Sequence, residues 1–221
     1  MCGRYTLTLD PDELQELFGL SEPPPAGLAP RFNIAPSQPV AVVPGGESRK
    51  LELFRWGLIP AWAKDPKIGS QMINARSETV AEKPAFRAAF KKRRCLILAD
   101  GFYEWKRAES RKTPMYFQVE GGRPFAFAGL WETWASPDQG TIHSCTILTT
   151  QANTLVASTH DRMPVILPAD AYSVWLSTGE LAPEQAKRLL QPFPPEQMTV
   201  RPVSSRVNNP NFDSPECVQP M

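Results

Sequence analysis

Cys95-Leu96-Ile97-Leu98-Ala99-Asp100-Gly101-Phe102-Tyr103-Glu104-Trp105 is the stretch on which the fold turns. Its first five residues form an unbroken apolar run, too short for a buried helix and typical of a central strand. Asp100-Gly101 then turns the chain. Phe102-Tyr103-Glu104-Trp105 resumes as an alternating strand and sets Phe102 and Glu104 on one face. A lone Glu between aromatics has chemical meaning, because burial raises a carboxyl pKa toward the range of a useful acid or base.

Upstream of this stretch, Tyr5-Thr6-Leu7-Thr8-Leu9 alternates as a half-buried strand would. Asp10-Pro11-Asp12-Glu13 opens a helix with an N-cap, a proline in the first turn and a Glu three residues on; Leu14, Leu17 and Phe18 make its buried stripe and Gly19 stops it. The proline-rich segment 22–30 is a spacer. Strands at Val40–Val43 and Leu51–Trp56 flank a Gly45-Gly46 turn and read as a hairpin. Between Arg55 and Trp62 the Trp, Gly and Pro content rules out a regular element; the segment is either a packed corner or an aromatic platform for an unstacked base. Ser77 is a fair N-cap for a short helix that Pro84 interrupts and restarts, with Phe86 and Phe90 inward. Lys91-Lys92-Arg93-Arg94 ends that helix as solvated charges that complement its dipole.

Downstream, Met115–Val119 and Phe125–Trp131 read as a second hairpin about Gly121-Gly122, followed by a strand from Thr141 to Thr149. Asn153–Val156 is a helical turn, Val165–Leu167 a strand, and two amphipathic helices lie near Ala171–Leu176 and Pro183–Gln191. A strand at Thr199–Val203 precedes a polar arm, from Ser205, laid on the surface. Strands in hairpin order with helices inserted between them predict an α+β fold of mainly antiparallel, barrel-like sheet with peripheral helices, in a single domain over residues 1–221.

With a net charge of +1, any nucleic-acid surface must be a local basic groove and not a global field. Cys2, Cys95, Cys145 and Cys217 fall at unrelated spacings with only His143 and His160 beside them. Neither a zinc site nor a disulfide framework is suggested, and no metal or cofactor is expected. No apolar run approaches a membrane span of about 18 residues. The expectation is a monomer in a reducing cytoplasm.

Met1-Cys2-Gly3-Arg4 offers two readings. Cys2 is either a small buried residue at a strand start or, once Met1 is clipped, an N-terminal cysteine. In the second case an amine of pKa about 7.7 to 8.0 stands beside a thiol of about 8.5, and both are partly nucleophilic near neutral pH. Both can attack one aldehyde carbon and close a thiazolidine. His160, in a loop and flanked by charges, is an acid or base candidate or a local cap.

Taken together and in order, Met1–Arg4, Phe32-Asn33-Ile34-Ala35-Pro36, Arg55–Pro60, Ile73-Asn74-Ala75-Arg76-Ser77-Glu78, Ala99–Trp105 and His160-Asp161-Arg162-Met163-Pro164 resemble the motifs of the SOS response-associated peptidase family. The resemblance spans residues 2–207, leaving 208–221 as a C-terminal arm. It implies a protein that senses abasic sites in single-stranded DNA and joins Cys2 covalently to the ring-opened aldehyde, protecting the lesion. A lyase side activity and a self-processing peptidase activity follow from the same resemblance. By motif, Cys2 is the crosslinking residue and Asn74, Glu104 and His160 complete the site. Arg4, Arg76, Arg162, Trp62, Trp105 and Thr149 are the DNA-contacting candidates. Two rival readings stay open at this level: an N-terminal nucleophile hydrolase such as a glutamine amidotransferase, and a non-covalent single-stranded DNA binding module.

Overall fold

The computed structural model describes residues 2–108, 111–136 and 140–221. Its strands are β1 (Tyr5–Leu7), β2 (Arg31–Ile34), β3 (Pro39–Pro44), β4 (Glu52–Trp56), β5 (Asn74–Arg76), β6 (Arg94–Ala99), β7 (Gly101–Ala108), β8 (Arg111–Val119), β9 (Phe125–Ser136), β10 (Gly140–Gln151), β11 (Arg162–Pro164), β12 (Ile166–Leu167) and β13 (Met198–Pro202). The α-helices are short: α1 (Pro11–Phe18), α2 (Arg87–Lys92), α3 (Thr154–Ala157), α4 (Tyr172–Leu176) and α5 (Pro183–Leu189).

Five strands close on themselves. β4, β3, β6, β9 and β10 pair antiparallel in that order, and a parallel pairing of β10 with β4, Ser144 opposite Arg55, shuts the barrel. Closure packs the interior tightly: a Cβ on Gly129 of β9 would fall 2.8 Å from Ile97 Cδ1 and 2.9 Å from Cys95 Sγ. Beside the barrel lies a second sheet in the order β13-β8-β7-β1-β2. Tyr5 and Phe102 of this sheet meet Phe127 of the barrel edge-on, at 5.6 and 6.3 Å between ring centres. The expected α+β architecture on mainly antiparallel, barrel-like sheet is what the chain adopts, with parallel pairs, among the described residues, only where β10 meets β4 and β5.

The stretch from Cys95 to Trp105 is the joint between the two sheets. β6 is buried at every position inside the barrel, and the chain passes through Asp100 into β7 of the neighbouring sheet. The Asp100 carboxylate accepts hydrogen bonds from Thr6 Oγ1, from Thr8 N at 2.6 Å and from Thr8 Oγ1 at 2.5 Å. Gly101 is required by its neighbour, because a Cβ there would lie 2.2 Å from Tyr116 Oη.

Helix α1 forms as its residues dictate, with the reciprocal Asp10/Glu13 capping box and Gly19 left-handed at φ 59°. Several sequence expectations are corrected. Leu17 is 56% exposed, so only Leu14 and Phe18 carry the helix's burial. β1 is buried on both faces, because Thr6 turns toward Asp100 and Tyr116 and not to solvent. No helix starts at Ser77; residues 77–86 are turns, and the helix begins only after Pro84. The hairpin read between Met115–Val119 and Phe125–Trp131 does not form. Gly121 and Gly122, at φ 74° and 67°, carry the chain from one sheet to the other, and β7–β8 and β9–β10 are the hairpins instead. Arg94 is not a solvated charge: it is 2% exposed, donating from Nε to the Trp175 carbonyl at 2.8 Å and from Nη1 to those of Phe90 and Lys91 at 3.0 Å. Its Nη2 reaches the carbonyls of Ser177 and Gly179, so one guanidinium terminates both α2 and α4.

The tail from Ser205 is built in. Val207 and Cys217 are fully buried, and Asn33 Nδ2 donates toward the carbonyls of Val207, Asn209 and Phe212 at 3.3, 3.0 and 2.7 Å. Phe32 N donates to Asp213 Oδ1 at 2.6 Å. No described helix is long and apolar enough to cross a membrane.

Candidate active site

Three separate parts of the chain meet where β1 begins. Antiparallel pairing of β1 with β7, Tyr5 opposite Phe102, carries the N-terminal residues alongside Tyr103 and Glu104, and Tyr103 N donates to the Arg4 carbonyl at 2.9 Å. Cys2 is thereby wholly buried. On its other side, β5 pairs parallel with β10, Asn74 opposite Ile147, which holds Asn74 so that its Nδ2 donates to the Cys2 carbonyl at 2.8 Å. The third part is the link between α3 and β11, which carries His160.

Burial raises the Cys2 thiol pKa far above its ordinary value, and the neighbouring Glu104 charge raises it further. Glu104, 4% exposed, has its own carboxyl pKa raised by burial, while His160 pulls it back down. These two couplings and the Asn74 hydrogen bond bring all four predicted site residues, Cys2, Asn74, Glu104 and His160, into one cluster. Nδ1 of His160 accepts the backbone N–H of Arg162 at 3.0 Å and lies 2.8 Å from Asp161 Oδ1. The cluster adjoins a cavity of about 450 Å³ lined by Glu104, Trp105, Arg107, Lys112, His160 and Asn208. A larger cavity of about 650 Å³, walled by Phe90, Leu181, Ala186 and Leu190, contains none of the four; chemistry, not size, makes the smaller one the candidate site.

The residues read as DNA contacts divide. Arg76 is exposed at the end of β5 and Trp62 is 62% exposed. Trp105 is half-buried: its Nε1 donates to Asn208 Oδ1 at 2.7 Å, and the Arg4 guanidinium sits 5.8 Å from its ring centre. Arg4, however, spends Nη1 on Asn33 Oδ1 and the Val207 carbonyl, both at 2.7 Å. Arg162 forms a two-pronged pair with Glu78 at 2.6 and 2.9 Å and reaches the Thr149 carbonyl at 2.6 Å. Thr149 itself is fully buried. Those three serve the protein's own framework in this structure.

A sequence model of the SOS response associated peptidase family matches residues 1–210. The chain belongs to that family. Among curated proteins it is 45% identical over 222 residues to abasic site processing protein YoqW of Bacillus subtilis, with 99% of each chain covered. It is 33% identical over 262 residues to abasic site processing protein HMCES of Xenopus tropicalis, covering 99% of this chain and 78% of that one. Among solved structures, a protein from Bacteroides thetaiotaomicron superposes with a TM-score of 0.90 at 26% identity, each chain covered in full.

For this SOS response associated peptidase family member, sequence reasoning did not single out Arg107, Lys112 and Asn208, which line the cavity, or Glu78, which pairs with Arg162. Arg107 and Lys112 sit directly opposite each other on β7 and β8. Like charges in that register disfavour the sheet by themselves, and they make this rim of the cavity locally basic. Among the described residues, no group of three or more His, Cys, Asp and Glu is placed to hold a metal.

Proposed function

We propose that the protein processes abasic sites in single-stranded DNA by capturing the lesion's open-chain aldehyde on Cys2, after removal of Met1. The observation that carries this reading is the convergence of Cys2, Asn74, Glu104 and His160 beside a cavity rimmed by Arg107 and Lys112. The relatives named abasic site processing proteins support it.

The chemistry follows from the protonation states. Burial disfavours the Cys2 thiolate, which leaves the α-amine exposed by loss of Met1 as the first nucleophile. Its nitrogen bonds to the aldehyde carbon and gives a carbinolamine. Glu104, whose protonated form burial favours, donates a proton to the departing hydroxyl; one water leaves, the nitrogen's proton returns to the Glu104 carboxylate and a C=N bond forms. The thiol then adds to the imine carbon, its proton passing to nitrogen through Glu104, and the thiazolidine closes with one water released overall. Asn74 cannot titrate; it holds the Cys2 carbonyl and with it the direction of the amine. His160 assists opening of the sugar ring. The imine stage also permits β-elimination of the 3′ phosphate, which gives the lyase side path, and hydrolytic loss of Met1 is the peptidase step. Recognition rests on phosphate charge and base stacking, indifferent to sequence.

The test is a denaturing gel of the protein with a single-stranded oligonucleotide carrying one abasic site, beside Cys2→Ala. A retarded, denaturant-resistant band for the parent chain alone is expected. No band from a preparation shown by mass spectrometry to lack Met1 would sink the reading. Equal retention of intact and abasic strands without a resistant band would indicate a non-covalent binder, and ammonia released from glutamine in a Cys2-dependent way an amidotransferase.

A further inference from the structure

Glu78 and Arg162 form a clasp that the capture chemistry above does not use. The clasp joins two walls of the site. Glu78 lies in the turns just beyond β5, which carries Asn74; Arg162 opens β11, directly after the segment that carries His160. Nη1 and Nη2 of Arg162 meet the two Glu78 oxygens at 2.6 and 2.9 Å, and Nη2 also meets the Thr149 carbonyl at 2.6 Å. A forked pair of this kind fixes orientation as well as distance. The Arg162 side chain is only 14% exposed while Glu78 faces solvent, so the fork is anchored from the Arg162 side. From the same residue, the backbone N–H points at His160 Nδ1 from 3.0 Å.

We propose that Glu78 is a positioning residue for His160, acting through Arg162 to fix which ring nitrogen carries the proton. An Nδ1 that accepts a strand N–H holds its lone pair there, so the neutral ring bears its hydrogen on Nε2. Asp161 Oδ1, 2.8 Å from the same Nδ1, asks for the opposite tautomer. Asp161 is 86% exposed in its side chain and screened by water, whereas the Arg162 amide is fixed by β11 pairing with β10, Gln151 opposite Arg162. The fixed amide wins while the clasp holds. When the ring gains a proton, Nδ1 becomes a donor and Asp161 is already in place to accept it. Arg162 is the first residue of β11, so its amide is held by a terminal strand pair and by the clasp together; loosening the clasp lets that strand end fray from β10 and lets Asp161 compete for the neutral ring.

The experiment compares the parent chain with Glu78→Gln and Arg162→Lys. Nitrogen-15 chemical shifts of the His160 ring at alkaline pH report the tautomer, and single-turnover crosslinking to an abasic oligonucleotide reports the rate. Both variants are expected to shift the ring from one dominant tautomer to a mixture and to slow crosslinking by about ten-fold, the lower range for losing a histidine's orienting partner, and Glu78→Gln to do so at unchanged affinity for an intact strand. Glu78→Asp is expected to recover most of the rate. Unchanged ring shifts in both variants overturn the proposal, as does tighter strand binding by Glu78→Gln with no loss of rate, which would make Glu78 a competitor of phosphate for Arg162. The kinetic arm rests on the covalent-capture reading; the ring shifts do not, so the two ideas fail separately. Glu78 is half exposed, and a thermal melt confirms that each variant is folded.

Discussion

Asp100 and Glu104 are two carboxyls on one passage of chain, buried alike at 3% and 4% exposure, yet they do opposite work. Asp100 is met by Thr6 Oγ1 and by the amide and hydroxyl of Thr8, all donors, and it pins β1 to the joint between the sheets. Glu104 faces a cavity, and burial pushes its pKa up. Burial by itself therefore does not mark a catalytic acid. A carboxyl met by fixed donors serves the framework; one desolvated beside a histidine and a cavity is a candidate proton carrier.

Four outcomes probe that contrast. Asp100→Ala strips three donors of their acceptor inside the joint and is expected to cost about 3 kcal/mol of stability, near 1 kcal/mol per lost bond, read as a fall in the denaturant midpoint. A variant as stable as the parent would remove Asp100 from its structural role. Glu104→Gln leaves the fold intact and slows crosslinking by about a hundred-fold, the lower range for a positioned proton carrier; single-turnover gels measure it, and equal weakening of intact-strand binding would count against proton transfer. The pH dependence of stability gives the third. A raised folded pKa means that the folded state holds the Glu104 proton longer, so its contribution is full below the unfolded value of about 4.3 and is lost as pH rises through the folded value. Glu104→Gln should therefore gain stability relative to the parent as pH rises, in paired melts; a constant gap would mean that the carboxyl is not desolvated. The smallest effect is expected away from both carboxyls: Trp62→Ala leaves stability within about 0.5 kcal/mol and weakens single-strand binding by about 1 kcal/mol, the low end for one stacked base.

The contrast was half legible in the sequence. The apolar run 95–99 and the alternation after Gly101 announced β6 and β7, and the aromatic flanks of Glu104 announced its burial. Asp100 read only as a turn residue, because its partners Thr6 and Thr8 lie far away along the chain. The same limit explains the misread hairpin: β8 and β9 are neighbours in sequence, but two glycines at positive φ separate them into different sheets, and no local pattern records barrel closure by β10 and β4. Arg94 looked like a solvent charge since the carbonyls it gathers come mostly from residues 175–179. For the candidate site, the ordered motifs named Cys2, Asn74, Glu104 and His160, which the fold brings together; what they could not disclose is that Arg4 and Arg162 have internal partners.

The way the tail engages β2 has a consequence for the protein among its own copies. β2 ends the sheet β13-β8-β7-β1-β2, and a strand in that position offers unpaired N–H and C=O groups to any passing chain. Here the Phe32 amide is taken by Asp213, its carbonyl accepts from Tyr103 Oη at 2.7 Å, and Asn33 grips three tail carbonyls. The C-terminal segment is thus a cover that denies strand addition, and a chain cut before Ser205 would present β2 as a template for self-association.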